Sequence, residues 1–255
     1  MNLNLQNHII LISGGAKGIG AAISKTLIEE GAIPVIIDPS PEGQQLVELA
    51  HGKALHIPIR LTDEDDTENV IQQAIKKFGK IHGLVNNAGA NDGISLENGT
   101  PKEFLNSLSK NLLHYYNLAH FALPYLKATK GSIVNISSKT AITGQGGTSG
   151  YVAAKGAQLA LTREWAAELL PYHIRVNAVI PAEVMTPLYK NWLGTFPDPN
   201  SKLKEITDRI PLEKRMTRPE EIASMVVFLL SEKASHITGQ HLFVDGGYTH
   251  LDRAL

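Results

Sequence analysis

The chain of 255 residues contains no cysteine. That absence excludes a disulfide framework, an iron–sulfur ligand set and a thiol nucleophile. Neither sign of charge is in excess: 24 lysines and arginines face 25 aspartates and glutamates, a net of −1. Such a balance gives no electrostatic footprint for nucleic acid or an anionic membrane. Long apolar runs are missing too. The first, Ile9 to Ile12, is far too short for a signal h-region or a membrane span, and no basic segment precedes it. A soluble cytoplasmic protein is the expectation. The ten histidines contain no H-E-x-x-H or comparable ligand set, so no metal is expected. His51/His56 and His236/His241, each five apart, read as surface histidines. There is no internal repeat, low-complexity tract or linker. What is present is a chain 43% hydrophobic, able to bury a sizeable core, of a length suited to one large α/β domain or two small ones.

The stretch richest in chemistry runs from Ser138 to Lys155. An apolar run, Ile133 to Ile136, reads as a buried strand leading into Ser137 and Ser138. A glycine-rich loop, Gly144 to Gly150, follows, and a helical pattern then opens with Tyr151 and Lys155 at i and i+4. That spacing puts both side chains on one helix face. An ammonium near a phenol favours the phenolate and is expected to lower the Tyr151 pKa. A tyrosine so poised can give or take a proton near neutral pH. Ser138 can hydrogen-bond the same substrate oxygen. A tyrosine and a lysine four apart on a helix also occur by chance, so the weight of this reading comes from the rest of the chain.

Near the N-terminus, Ile9 to Ile12 reads as a strand entering Ser13-Gly14-Gly15-Ala16-Lys17-Gly18-Ile19-Gly20, with a helical pattern from Ala21 to Glu30. Strand, glycine-rich turn and helix is the context a dinucleotide fingerprint requires. Bare backbone lets a pyrophosphate approach, and the helix N-terminus supplies N–H donors and partial positive charge. A second strand, Ile33 to Ile37, ends at Asp38, where an acidic residue meets an adenosine ribose. A carboxylate there accepts bonds from the ribose hydroxyls and repels a 2′-phosphate. NAD is favoured over NADP, although Lys17 beside the phosphate turn could welcome the extra phosphate.

Strands and helices then alternate. A short helix through about Ala50 and a third strand from Leu55 to Leu61 precede an acidic, N-capping turn, Thr62 to Asp66, whose helix runs to about Phe78. A fourth strand, Gly83 to Val85, enters Asn86-Asn87-Ala88-Gly89, small residues and amides suited to a ligand crevice. A long helix is predicted from Pro101 to Leu126, with Asn111 amid apolar neighbours. A sixth strand, Ile174 to Ile180, ends at Pro181; the segment 182–210 is the least regular and the best lid candidate. A helix from Pro219 to Ser231 and a strand within Gln240 to Gly247 complete the pattern, which predicts one doubly wound sheet.

Together these motifs resemble the short-chain dehydrogenase/reductase family along essentially the whole chain. The phosphate turn matches Ser13 to Gly20 with serine for the usual threonine, the Asn-Asn-Ala-Gly element matches Asn86 to Gly89, and the 13-residue step from Ser138 to Tyr151 is the family's common one. The resemblance implies a single-domain Rossmann fold over residues 1–255, with a seven-stranded parallel sheet and helices on both faces. It implies catalysis by Asn111, Ser138, Tyr151 and Lys155, with Asn111 positioning a water that relays a proton from Lys155. It places the coenzyme on Gly14, Lys17, Gly18, Ile19, Asp38, Leu61, Asn87, Ala88, Gly89, Tyr151, Lys155, Pro181, Val184 and Thr186. Arg60 stands where the family often has an acid, leaving the Leu61 backbone and Asp63 as adenine contacts; Ala182 replaces the usual glycine after Pro181. Homotetramers are the family's usual assembly, through Pro101–Leu126, Ser149–Leu170 and Pro219–Val244.

Asn177 to Tyr189 and the tail from Asp245 are similar to bacterial members described as L-fucose dehydrogenases, which implies oxidation of L-fucose or a like aldose to a lactone. The candidate residues for ring hydroxyls are Asn91, Lys139, Gln145, Glu183 and Trp192. Rival readings are a 3-oxoacyl-carrier-protein or hydroxysteroid reductase on the same scaffold and, from another class, a nucleotide-sensing protein without catalysis. A serine hydrolase is disfavoured because Gly147 to Tyr151 lacks the second glycine of G-x-S-x-G.

Overall fold

Seven short apolar runs, each too short to be a helix of the core, pair side by side into one parallel sheet in the order β3-β2-β1-β4-β5-β6-β7 in the computed structural model. The structure describes residues 2–61 and 64–251. The strands are β1 (Ile9–Ser13), β2 (Ile33–Ile37), β3 (Leu55–Ile57), β4 (Gly83–Asn86), β5 (Ser132–Ile136), β6 (Arg175–Pro181) and β7 (His241–Val244). Parallel pairing demands a crossover after each strand. The crossovers are α1 (Gly18–Glu29), α2 (Glu42–Leu49), α3 (Glu64–Phe78), the pair α4 (Pro101–Leu108) and α5 (His114–Thr129), α6 with α7 (Thr140–Thr143, Ser149–Glu168), and α8 (Pro187–Leu193), α9 (Pro199–Asp208) and α10 (Pro219–Leu230).

Alternate residues of each strand point to opposite faces, so a fully buried strand feeds two cores. Ile9 and Leu11 join α3, α5 and α7 through Val70, Leu118, Leu126 and Trp165. Ile10 and Ile12 join α1 and α10 through Ile23, Leu27, Ile222 and Val226. Covering both faces leaves the carboxyl ends of the strands as the open edge. The order of connection reverses between β1 and β4, and a crevice forms at such a switch point. Ser13, Asp38, Asn87, Ser138 and Glu183 all lie at or just beyond strand ends on this edge.

Several boundaries differ from the sequence expectation. The third strand stops at Ile57, because Pro58 follows and has no N–H for the ladder. The long helix expected from Pro101 is broken by a π turn at Ser109–Leu113, and continues past Leu126 to Thr129. The irregular segment 182–210 holds two helices, α8 and α9, each opened by proline at an early position and capped by Thr186 or Asp198. A single helical turn, α6, stands between Ser138 and the glycine-rich loop. Thr62 and Asp63, expected as a helix cap and an adenine contact, lie outside the described residues. His56 and His241 are not free surface groups: each ring nitrogen meets a backbone carbonyl, Asp38 O at 2.8 Å and Leu159 O at 3.0 Å.

Candidate active site

The phosphate turn is built so that only glycine fits. A Cβ at Gly20 would stand 1.9 Å from the Gly14 carbonyl oxygen, and one at Gly14 would meet Ala88 Cα at 3.0 Å. Gly14 also sits at φ +65° and Gly18 at +53°, where an L side chain is strained. No side chain caps the N-terminus of α1, where Lys17 is the N-cap. Its first N–H groups therefore form a donor cluster of the kind that binds a pyrophosphate. Ser13 and Asn87 tie this turn to β4. Ser13 Oγ accepts from the N–H of Asn87 (3.0 Å) and of Ala88 (3.1 Å), and Asn87 Nδ2 donates to the carbonyls of Ser13 and Gly14, both at 3.0 Å. The Asn87 amide thus shapes the cradle.

Asp38 is buried, and its two carboxylate oxygens accept separately from Ala16 N–H (3.1 Å) and Ser40 N–H (2.9 Å). That fixes a negative charge at the end of β2, beside the phosphate turn. Lys17 is engaged elsewhere, paired at 3.0 Å with Glu42, which also accepts from Ser40. Leu61 packs its side chain against the core. Val184 is buried and bridges to Thr217, while Thr186 caps α8 and lies against Gly18. The backbone N–H of Lys139 donates to Pro181 O at 2.9 Å. Gly14 lies against Asn87 and Ala88, Gly18 against Thr186, and Asp38 is bonded to the same turn; bare backbone, an open helix end and a fixed carboxylate are features that suit a dinucleotide.

Beside it the four expected catalytic residues come together. Ser138 Oγ accepts from the Thr140 hydroxyl (3.0 Å) and the Thr140 N–H (3.3 Å), which leaves its own proton to donate. Lys155 Nζ stands 5.6 Å from the Tyr151 ring centre. It donates to Ile136 O (2.7 Å), Tyr115 Oη (3.3 Å) and Gln158 Oε1 (3.3 Å). Asn111 is fully buried; its Oδ1 accepts from Ala90 N–H at 2.8 Å and its Nδ2 donates to Ser107 O at 3.0 Å.

One expectation fails here. Tyr151 is not lowered: burial pushes its pKa above the ordinary phenol value, and the Ser138 hydrogen bond only opposes that. Burial also brings Lys155, the cation expected to favour the phenolate, down to about 7. The Asn111 backbone carbonyl accepts from Gln158 Nε2 at 2.7 Å. Tyr115, Gln158 and Thr140 went unnoticed in the sequence. Gln158 had a readable signal, three residues beyond Lys155 on the same helix face. Tyr115 and Thr140 had none beyond their nearness to Asn111 and Ser138.

The substrate candidates divide. Lys139 and Glu183 form an ion pair with side chains only 9% and 13% exposed, one position beyond Ser138 and two beyond β6. Tyr189 Oη donates to the other Glu183 oxygen at 2.6 Å, and the Tyr248 ring lies 3.8 Å from Lys139 Nζ. Trp192 is 42% exposed on α8 and touches this group only through the Tyr189 ring, at 5.2 Å. Asn91 folds back to accept from Gly93 N–H, and Gln145 sits exposed in its loop, so the structure does not bring these two to the pair. Tyr189 and Tyr248, which do reach it, were missed because one lies in the segment read as irregular and the other in the tail.

Comparison with known proteins agrees with this geometry. The family model described as enoyl-(acyl carrier protein) reductase matches residues 14–249. The L-fucose dehydrogenase of Rattus norvegicus is 37% identical over 94% of this chain and 88% of its own length. A 3-oxoacyl-[acyl-carrier-protein] reductase of Thermotoga maritima is 35% identical over 96% of this chain and 99% of its own. The crystal structure of Cj0485 dehydrogenase superposes with a TM-score of 0.97 at 47% identity, covering 100% of this chain and 99% of that one. The chain belongs to the short-chain dehydrogenase/reductase family and is an oxidoreductase for alcohol or carbonyl substrates using a nicotinamide coenzyme.

Proposed function

We propose that this short-chain dehydrogenase oxidises a neutral sugar, L-fucose or a similar aldose, at its anomeric carbon to a lactone, with NAD as coenzyme. The observation that carries the sugar reading is the buried Lys139–Glu183 pair next to Ser138. Charges at a substrate site must be solvated by the ligand that displaces water. A polyol offers hydroxyls that donate to Glu183 and accept from Lys139. An acyl chain or steroid offers nothing, and leaves a desolvated pair. The relatives named L-fucose dehydrogenase support the same reading, and the one named 3-oxoacyl-[acyl-carrier-protein] reductase supports the rival.

The coenzyme preference rests on Asp38, whose fixed charge disfavours a 2′-phosphate, with Lys17 neutralised by Glu42. Gly14, Lys17, Gly18 and Ile19 would hold the pyrophosphate, Asp38 and Leu61 the adenosine, and Asn87 to Gly89 with Pro181, Val184 and Thr186 the remainder. The oxidised coenzyme, when bound, supplies the hydride acceptor and a positive charge. Tyr151 takes the hydroxyl proton, Ser138 directs its own proton at the reacting oxygen, Lys155 favours the anionic phenol when it carries its charge, and Asn111 holds Ala90. Segment 182–210 serves as the lid, and a cytoplasmic homotetramer is the working form.

A panel of L-fucose, other free aldoses, simple alcohols and acetoacetyl thioesters, each with both coenzymes, tests this. Turnover of free aldoses with NAD⁺ is expected. Preference for the thioester, or for NADP⁺, contradicts it.

A further inference from the structure

We propose that Gln158, together with Tyr115, is a positioning residue that holds Lys155 in place for Tyr151 and sets the pH at which Lys155 loses its charge. The inference rests on the acid–base role given to Tyr151 above.

The geometry starts with the π turn at Ser109–Leu113. Hydrogen bonds in such a turn run to the fifth residue rather than the fourth, which leaves a carbonyl without its regular partner. Here the Asn111 carbonyl is answered from α7 by Gln158 Nε2 at 2.7 Å. An amide has a donor end and an acceptor end, and bonding one fixes the other. Gln158 Oε1 is thereby turned toward Lys155, at 3.3 Å. Tyr115 works the same way from α5. Its hydroxyl donates to Ile136 O at 3.2 Å, so its lone pairs face Lys155, again at 3.3 Å. With the Ile136 carbonyl at 2.7 Å, three protein acceptors meet the three hydrogens of the ammonium.

Gln158 and Asn111 are fully buried, Tyr115 is 1% exposed and Lys155 3%. Water cannot replace a lost partner there without rearrangement, and an unmatched charge in such a place is costly. The titratable groups facing Lys155 are Tyr151 on its own helix and Tyr115 and His114 on α5; β5 presents the Ile136 carbonyl. None of these is a carboxylate, so neutral dipoles hold the charge. Burial has already brought Lys155 down to about 7, so the loss of one dipole moves its titration through the working range.

The test is the titration of Lys155 in the ligand-free protein, followed by its ¹³Cε NMR shift, in wild type, Gln158→Leu, Gln158→Glu and Tyr115→Phe. Gln158→Leu and Tyr115→Phe each remove an acceptor and are expected to move the midpoint down by about one pH unit; Gln158→Glu adds a negative charge and moves it up. With coenzyme and a substrate alcohol, the limb of the pH–rate profile that belongs to Lys155 shifts in the same order. The same midpoint in all four proteins overturns the proposal, and so does lost turnover without a shifted midpoint, which marks Gln158 as packing only. Because the NMR titration needs no substrate, it still decides if no alcohol is ever turned over, an outcome that sinks the dehydrogenase reading instead.

Discussion

Lys155 is a buried amine whose titration is displaced downward, to about 7, by burial. In the unfolded chain it returns to the ordinary lysine range, near 10.4. Between those two values the unfolded chain binds more protons than the native one, so native stability rises with pH across that window. The difference between wild type and Lys155→Met in urea unfolding isolates this term, and we expect the variant's curve to be flatter from about pH 7 upward. A second expectation concerns Glu183. Glu183→Gln keeps the shape of the Lys139–Tyr189 cluster but removes a charged acceptor for substrate hydroxyls. The KM for a sugar is expected to rise about tenfold or more, with a simple alcohol little affected, when steady-state kinetics are compared. Of these residues, Tyr151, Lys155 and Ser138 were legible because a strand, a loop and a helix fix their spacing. The sign of the Tyr151 shift was not, because it depends on burial that no spacing reveals. Nor were Tyr189, which lies in the segment read as irregular, and Tyr248, which reaches Lys139 from far along the chain.

At the scale of elements, β1 is held at its start by a side chain as well as by the ladder. His82 Nδ1 accepts from Ile9 N–H at 2.9 Å, and the His8 and His82 rings stack at 4.6 Å. That bond needs an unprotonated Nδ1. Burial first, then the nearby His8 and Lys80, bring His82 down to about 4. As pH falls from about 6.5 toward 4 the unfolded chain takes up a proton that the native chain refuses, so stability drops over that range. Gln offers an acceptor that does not titrate. Chemical unfolding of His82→Gln is expected to show a shallower acid loss than wild type, and an identical slope would contradict the role given to this ring. Strand and helix order was legible in the alternation of apolar runs with glycine-rich turns. The π turn around Asn111 was not, because a helix with one inserted residue keeps nearly the same apolar pattern on either side. The helices of segment 182–210 escaped notice because α9 buries no residue completely and so carries little core-facing signal.

The whole molecule places Ser13, Asp38, Asn87, Ser138 and Glu183 at one edge because a parallel sheet covered on both faces leaves its strand ends open. The doubly wound parallel sheet covered on both faces could be read from the chain; the strand order comes from the structure. Its assembly is a different matter. Leu105, Leu113 and Tyr116, on α4, the π turn and α5, are 64%, 46% and 51% exposed and fall within the segment expected at the tetramer contact. We expect sedimentation to give four times the 27.7 kDa chain mass, and Tyr116→Asp to lower it; a monomer in both cases removes the tetramer from the account.

Chemistry at Tyr151 is the point on which the functional reading turns, and Tyr151→Phe removes one oxygen from it while keeping the ring. Turnover of the preferred alcohol and binding of NADH should be measured on the same preparation. Turnover is expected to fall by about 10²–10⁴ while NADH affinity stays within a few-fold of wild type. Turnover near the wild-type rate would contradict the role assigned to this hydroxyl.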